Sequence, residues 1–424
     1  MAATTMRGTV APSRISPAVV AATVAGNAIE FFDFLCFSYF AVYIAAAFFP
    51  GGDPYTDLLK TLAVFWSGFL FRPLGGIVIG AYADRAGRRP AMLLTVALIT
   101  VGTMGLALVP SYQSIGAAAP ALLVACRIVQ GFALGGEVGP SSVFLVEAAP
   151  PHKRGFYASW QIASQGLAVA AAGLAAVVLS LWLDKEQLAA WGWRVPFLLC
   201  LALIPVAFLL RANMPETLEA GGHAPVRGRL ARSSGYVTLG VLLIIGGTVS
   251  TYVGNYMSTY AIATLHLPAT LSLSATLIGG LSTFAFALIG GGLGDRYGRK
   301  ALVIGPRVAL AALIWPAFLW LSAAPSALTL YLATVLVAGL TALSAGISLV
   351  VVPELLPRHV RATGFAISYA IGVSIFGGST QLVVAWLIKT TGDPAAPAWY
   401  VIATSLVTIG AMLVLPETRG RAID

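Results

Sequence analysis

Apolar residues in this chain do not alternate with polar ones. They run in long blocks. A helix needs about 20 apolar residues to cross a bilayer. Twelve stretches meet that need, at approximately 18–48, 57–83, 90–110, 119–145, 155–183, 192–211, 235–264, 271–294, 300–323, 327–352, 361–389 and 397–416. A membrane barrel would instead show short segments of alternating hydrophobicity. The pattern therefore predicts an all-α membrane protein with twelve transmembrane helices, numbered here spans 1 to 12. The polar Met1–Pro17 stretch leads into a block with acids in its middle. That block reads as a retained first span, not as a cleaved signal.

Composition agrees with the pattern. Hydrophobic residues make up 58% of the 424 and charged ones 10%, against roughly 25% charged in soluble domains. The net charge is +9. Such a charge on a soluble domain points to nucleic acid, but here its distribution points to topology. With the N-terminus in the cytoplasm, eighteen lysines and arginines fall on that side. Only Lys60, Lys185, Arg194 and Lys389 fall opposite. The positive-inside rule then places both termini in the cytoplasm, and the expected location is a plasma (bacterial inner) membrane. Cys36, Cys126 and Cys200 sit inside apolar runs with no metal-ligand spacing, so no metal, cofactor or disulfide framework is expected.

The chain also repeats itself. Gly80–Arg89 (GAYADRAGRR) matches Gly291–Lys300 (GGLGDRYGRK). Glu147 with Lys153–Phe156 resembles Glu354 with Arg361–Phe365. Pro215-Glu216-Thr217 recurs as Pro416-Glu417-Thr418. The offsets are 211, 207 and 201 residues. Three ordered matches predict two pseudo-symmetric six-helix halves with a site between them. The boundaries are 1–211 for the first bundle, 212–234 for a cytoplasmic linker and 235–424 for the second bundle.

At these residues a family becomes visible. Gly80, Asp84, Arg85, Gly87, Arg88 and Arg89 resemble the signature loop of the major facilitator superfamily. Gly291, Asp295, Arg296, Gly298 and Arg299 form its second copy. Arg127-x-x-Gln130-Gly131 is similar to that superfamily's span-4 motif. The resemblance implies a loop that latches the halves in one state, with Gly80 allowing close helix approach and Asp84 facing a helix N-terminus. The bland alternative is a basic topogenic loop. Gly26–Phe34, Gly68–Gly76, Gln130–Glu137, Trp191–Phe197 and Ile375–Gly378 narrow the likeness to the metabolite:proton symporter branch. That branch implies proton coupling and organic acids such as citrate or 2-oxoglutarate, or zwitterions such as proline and betaine.

Charges inside spans are costly and mark pairs or wet cavities. Asn27, Glu30 and Asp33 follow one face of span 1. Two nearby carboxylates in low dielectric do not both ionise cheaply, which suits a proton carrier. The plainer reading is a structural ion pair. On span 4, Arg127, Gln130 and Glu137 again share a face. Arg127 is expected to pair with Asp33 or Glu30 until a substrate carboxylate displaces the acid, and the alternative is an arginine that only packs the first half. Arg72 and Arg307 lie nearer the cytoplasmic ends, where snorkelling competes with a binding role for Arg72 and is favoured for Arg307.

The remaining candidates are uncharged. Tyr252, Asn255 and Tyr256 in span 7, Trp160, Gln161 and Gln165 in span 5 and Tyr369 in span 11 read as cavity lining or as interhelical hydrogen-bond glue. The expectation is a monomeric, proton-coupled importer of a small organic anion such as citrate, surrounded by lipid and without a nucleic-acid partner. A symporter of proline- or betaine-like zwitterions and a non-transporting sensor are the rivals. No constellation of nucleophile, base or phosphate loop supports an enzyme.

Overall fold

The computed structural model describes residues 17–86, 88–135, 145–146, 149–212, 234–357 and 361–420. Among them there is no strand, and long helices account for nearly everything. Among the described residues eight helices are long and apolar enough to cross a bilayer. A ninth span is a pair bent by 62°, and three shorter apolar helices complete the twelve. Span 1 is Pro17–Tyr39 with Ala41–Phe48, span 2 is Pro54–Leu70 with Arg72–Ala86, and span 3 is Arg88–Leu108. Spans 4 to 6 are Ala118–Leu134, Arg154–Trp182 and Val195–Ala212. Spans 7 to 10 are Ser234–Ala263, Ala269–Tyr297, Arg299–Ala323 and Ala327–Leu355. Span 11 joins Arg361–Ile371, a wider π turn Gly372–Gly377 and Gly378–Thr391, and span 12 is Ala396–Val414.

Local chemistry sets the breaks. Pro73 has no amide hydrogen to give back to the preceding turn, and span 2 is interrupted at Phe71, just before it. Gly298 turns from span 8 into span 9 at φ +104°, a conformation that side chains rarely adopt. The linker expected at 212–234 lies, but for its end residues, outside the described residues.

Among the described residues, two seams join the halves. Along the first, spans 5 and 8 run side by side with glycines at the contact. A Cβ on Gly280 would fall inside the backbone of Ala170, and one on Gly166 would strike Phe284. Nothing flexible stands there to move aside. Gly280→Leu is therefore expected to cost at least the 1–3 kcal/mol of ordinary overpacking and to lower the melting temperature or abolish the folded peak in size exclusion. Gly305→Ala, at a position where a Cβ meets nothing, is the control that leaves both unchanged.

The end of this seam nearer the chain termini carries the second signature loop. Asp295 accepts from the Gly155 amide at 2.8 Å and the Phe156 amide at 2.9 Å. A side chain of the second half thus caps the first turn of span 5 in the first half, satisfying amides that a helix leaves orphaned. Arg299 donates to Asp295 at 2.7 Å and to Glu354 at 3.1 Å. Glu417 accepts from the Arg299 and Lys300 amides, and Thr418 donates to Glu354. Burial pushes the Glu417 carboxyl up, but these amides and their neighbours outweigh it and hold the group below its usual range. All three repeats found in the sequence thus contribute to one network. Arg296 stays outside it, exposed and stacked on Tyr297.

The first copy of the loop differs. A Cβ on Gly80 meets nothing within 4 Å, so the close approach expected there is found instead at Gly291, against Gly155 and Ser159. Gly87 lies outside the described residues, as do the side chains of Asp84, Arg85, Arg88 and Arg89.

The second seam joins spans 1 and 2 to spans 7 and 11. Ser38 and Gln381 bond each other, and Trp66 donates to the Ser374 carbonyl at 3.1 Å. At the end away from the termini, Lys389 donates to Asp53 at 3.0 Å, and Asp53 also caps span 2 through Thr56. The Lys389 bond, followed by Thr56, holds the Asp53 carboxyl at about 2. A carboxyl lowered by folding stabilises the fold fully above its free value of about 3.9. That contribution is lost only as pH falls through about 2. Between pH 8 and pH 5 this tie is expected to stay made. Intrinsically corrected hydrogen exchange at residues 54–60 should be equal at both pH values, and faster at both in Lys389→Gln.

Candidate functional site

Span 1 brings its polar stripe to the middle of the first half. Asp33 is 2% exposed. Its Oδ2 accepts from Thr103 at 2.8 Å and from Gln130 at 2.7 Å, while Oδ1 is buried without a partner. Gln130 turns its other end to Arg127, whose Nη1 donates to Gln130 Oε1 at 2.8 Å. The expected direct pair between Arg127 and Asp33 is not formed. Gln130 bridges them, because its amide offers both a donor and an acceptor.

Arg127 is fully buried, with Nε and Nη2 unpartnered. Aromatic rings take the place of a counter-ion. The guanidinium lies 4.1 Å from the centre of Phe34, 4.7 Å from Phe37 and 5.2 Å from Phe65. Arg72 does not snorkel. It is buried at 6% exposure, 4.3 Å from the same Phe34 ring and 4.2 Å from Phe69. Desolvated cation–π contacts of this kind are worth about 2 kcal/mol each, which offsets part of the cost of burying two cations. Glu30 is buried on span 1, one turn before Asp33. Glu137 lies outside the described residues.

A cavity of about 60 Å³ lies between the halves, walled by Phe31 and Leu35 of span 1, by span 5 and by spans 7, 8, 10 and 11. That is room for several waters at roughly 10–15 Å³ each. Of the candidates, Gln165, Tyr252, Asn255 and Tyr369 line it. Asn27 and Gln161 do not. They bond each other at 3.0 Å, and Asn27 also donates to Ser164, clamping span 1 to span 5. Trp160 packs on Phe284 across the first seam, and Tyr256 is buried away from the cavity. Arg127, Gln130 and Arg72 stand behind an aromatic layer. Tyr252 lines the cavity on one side and touches Phe69 at 5.4 Å and Phe65 at 6.3 Å on the other.

A model of the Major Facilitator Superfamily matches residues 24–375. The chain belongs to that superfamily. Among its members, a citrate-proton symporter of Salmonella typhi is 40% identical over 407 residues, 93% of each chain. A proline/betaine transporter of Salmonella typhimurium is 32% identical over 97% of this chain and 85% of its own. The crystal structure of a D-xylose-proton symporter superposes with a TM-score of 0.76 at 17% identity, covering 95% and 98% of the two chains. This last likeness shows the facilitator fold alone. The chain is thus a multi-pass membrane transporter of this superfamily, not an enzyme.

Some of this facilitator's site was missed in sequence. Thr283 and Ser348 line the cavity, but single hydroxyls in spans 8 and 10 look no different from the many that bond their own helix. Thr103 is invisible for the same reason, until span 3 is placed beside Asp33.

Proposed function

We propose that this chain is a proton-coupled symporter that imports a small organic anion of the citrate type by alternating access. The observation that carries this reading is the buried chain Asp33–Gln130–Arg127. It links a carboxylate that can take a proton to a guanidinium that can take an anion. Arg72 and Arg127 balance Glu30 and Asp33 when both acids are ionised. A substrate carboxylate entering at Arg127 adds a negative charge, and a proton on Asp33 removes it. Gln130 feels both events, because its two ends contact the two groups.

In this reading residues 1–211 and 235–424 rock about the 212–234 linker, with both termini in the cytoplasm of a bacterial inner membrane. The Asp295 cap closes the cytoplasmic end of one seam, and the Lys389–Asp53 tie closes the outer end of the other. Tyr252 and the phenylalanines behind it part to let the substrate reach the arginines. A proton moving inward through 100 mV yields about 2.3 kcal/mol. Protons equal to the substrate's charges offset the potential's opposition to an entering anion, and each proton beyond that number adds this driving force. Identity to a citrate-proton symporter supports the substrate class.

A second reading, a symporter of proline- or betaine-like zwitterions, is favoured by the proline/betaine relative. Purified protein in liposomes with an internal pH dye separates the two. Acidification on adding citrate or 2-oxoglutarate supports the first. Acidification with proline or betaine alone replaces it by the second. Silence with all of them removes both.

A further inference from the structure

Arg307 of span 9 was expected to reach for the membrane surface. Instead it is fully buried in the second half. Its Nη1 donates to the Gly246 carbonyl and to Ser250 Oγ, both at 2.8 Å, on span 7. Its Nε and Nη2 have no partner. Among the described residues no carboxylate pairs with it. No aromatic ring stacks on it either, unlike Arg72 and Arg127.

A tie between spans 9 and 7 does not explain this. One nitrogen does the tying, and a neutral glutamine would tie as well. A buried, unpaired cation costs several kcal/mol even after relaxation. The two idle nitrogens call for an anion that comes and goes. The route to it is short. Gly247 lines the central cavity, and the Cβ it lacks would sit 3.3 Å from Arg307 Nη2. Glycine therefore leaves only backbone between the guanidinium and the cavity. Ser250, bonded to Nη1, lines a small recess that continues the same space along Thr251 and Asn255.

We propose that Arg307 is the anion subsite of the second half, taking one carboxylate of a di- or tricarboxylate while Arg127 takes another. This rests on the symporter reading above. It gives the substrate a charge contact on each half, so that a bound polyanion draws the halves together. A substrate with a single carboxylate has nothing to place there.

The test is citrate titration of the purified protein by calorimetry, with proton-driven citrate uptake in liposomes beside it. Arg307→Gln is expected to raise the citrate dissociation constant by about tenfold to a hundredfold, the loss of a charge-assisted contact. Arg307→Lys should recover part of that loss. Gly247→Ala keeps the arginine and its bonds but narrows the opening, and should raise the constant severalfold. If Arg307→Gln does not fold, Gly247→Ala carries the test. Wild-type citrate affinity in a folded Arg307→Gln or in Gly247→Ala overturns the subsite and leaves the symporter reading standing. Wild-type protein that binds proline or betaine but no polycarboxylate overturns both.

Discussion

Replacing Asp33 with asparagine is expected to abolish gradient-driven accumulation while leaving exchange of substrate between the two sides intact. Asparagine keeps an oxygen where Oδ2 accepts from Thr103 and Gln130, so the packing of spans 1, 3 and 4 survives. It cannot take a proton, so nothing couples the electrochemical gradient to the substrate. For one net charge moving through 100 mV, the driving force of about 2.3 kcal/mol corresponds to roughly fiftyfold accumulation. That ratio should fall to unity in the variant. Counterflow of labelled substrate against an internal unlabelled pool should continue. Accumulation at the wild-type level in a folded Asp33→Asn protein would remove Asp33 from coupling.

The second large effect is expected at Arg127, and a conservative change should be enough to reveal it. Arg127→Lys keeps the charge. It loses the planar fork, which both reaches Gln130 and lies over Phe34, Phe37 and Phe65. A carboxylate bound by two charge-assisted hydrogen bonds at about 1.5–3 kcal/mol each then retains one at best. Substrate affinity should drop by about tenfold to a hundredfold for the lysine and further for Arg127→Ala. Because Gln130 passes the change to Asp33, the pH dependence of uptake should move as well. An arginine that only packs the first half would lower thermal stability and leave both readouts of the folded fraction alone. Calorimetric titration beside a pH series of uptake rates separates the two cases.

Much of the architecture could be read from the chain because membrane helices announce themselves by length. The twelve apolar blocks, the paired halves and the two copies of the signature loop needed no tertiary information. The site was legible only as far as helix faces reach. Periodicity put Asp33 and Arg127 on polar faces of spans 1 and 4, but it could not show that Gln130 stands between them, since that depends on the rotation of two helices about their axes. The same limit hid the pairing of Asn27 with Gln161. That pair satisfies itself and does not line the central cavity. Arg307 was misjudged because distance along the sequence from Lys300 says how deep a residue lies, not whether it points to lipid or to span 7. The bend of span 1 at Phe40, which the Phe40 carbonyl spans with bonds to Tyr43 and Ile44, carries neither proline nor glycine to give it away.

The glycine seam between spans 5 and 8 has a bearing on insulation. Where Gly280 meets Ala170 and Gly166 meets Phe284, backbone lies against backbone with no room for a file of water. Hydronium needs such a file to hop. Along those contacts no such file forms, so a proton crossing between the halves is confined to the central cavity and the groups that wall it.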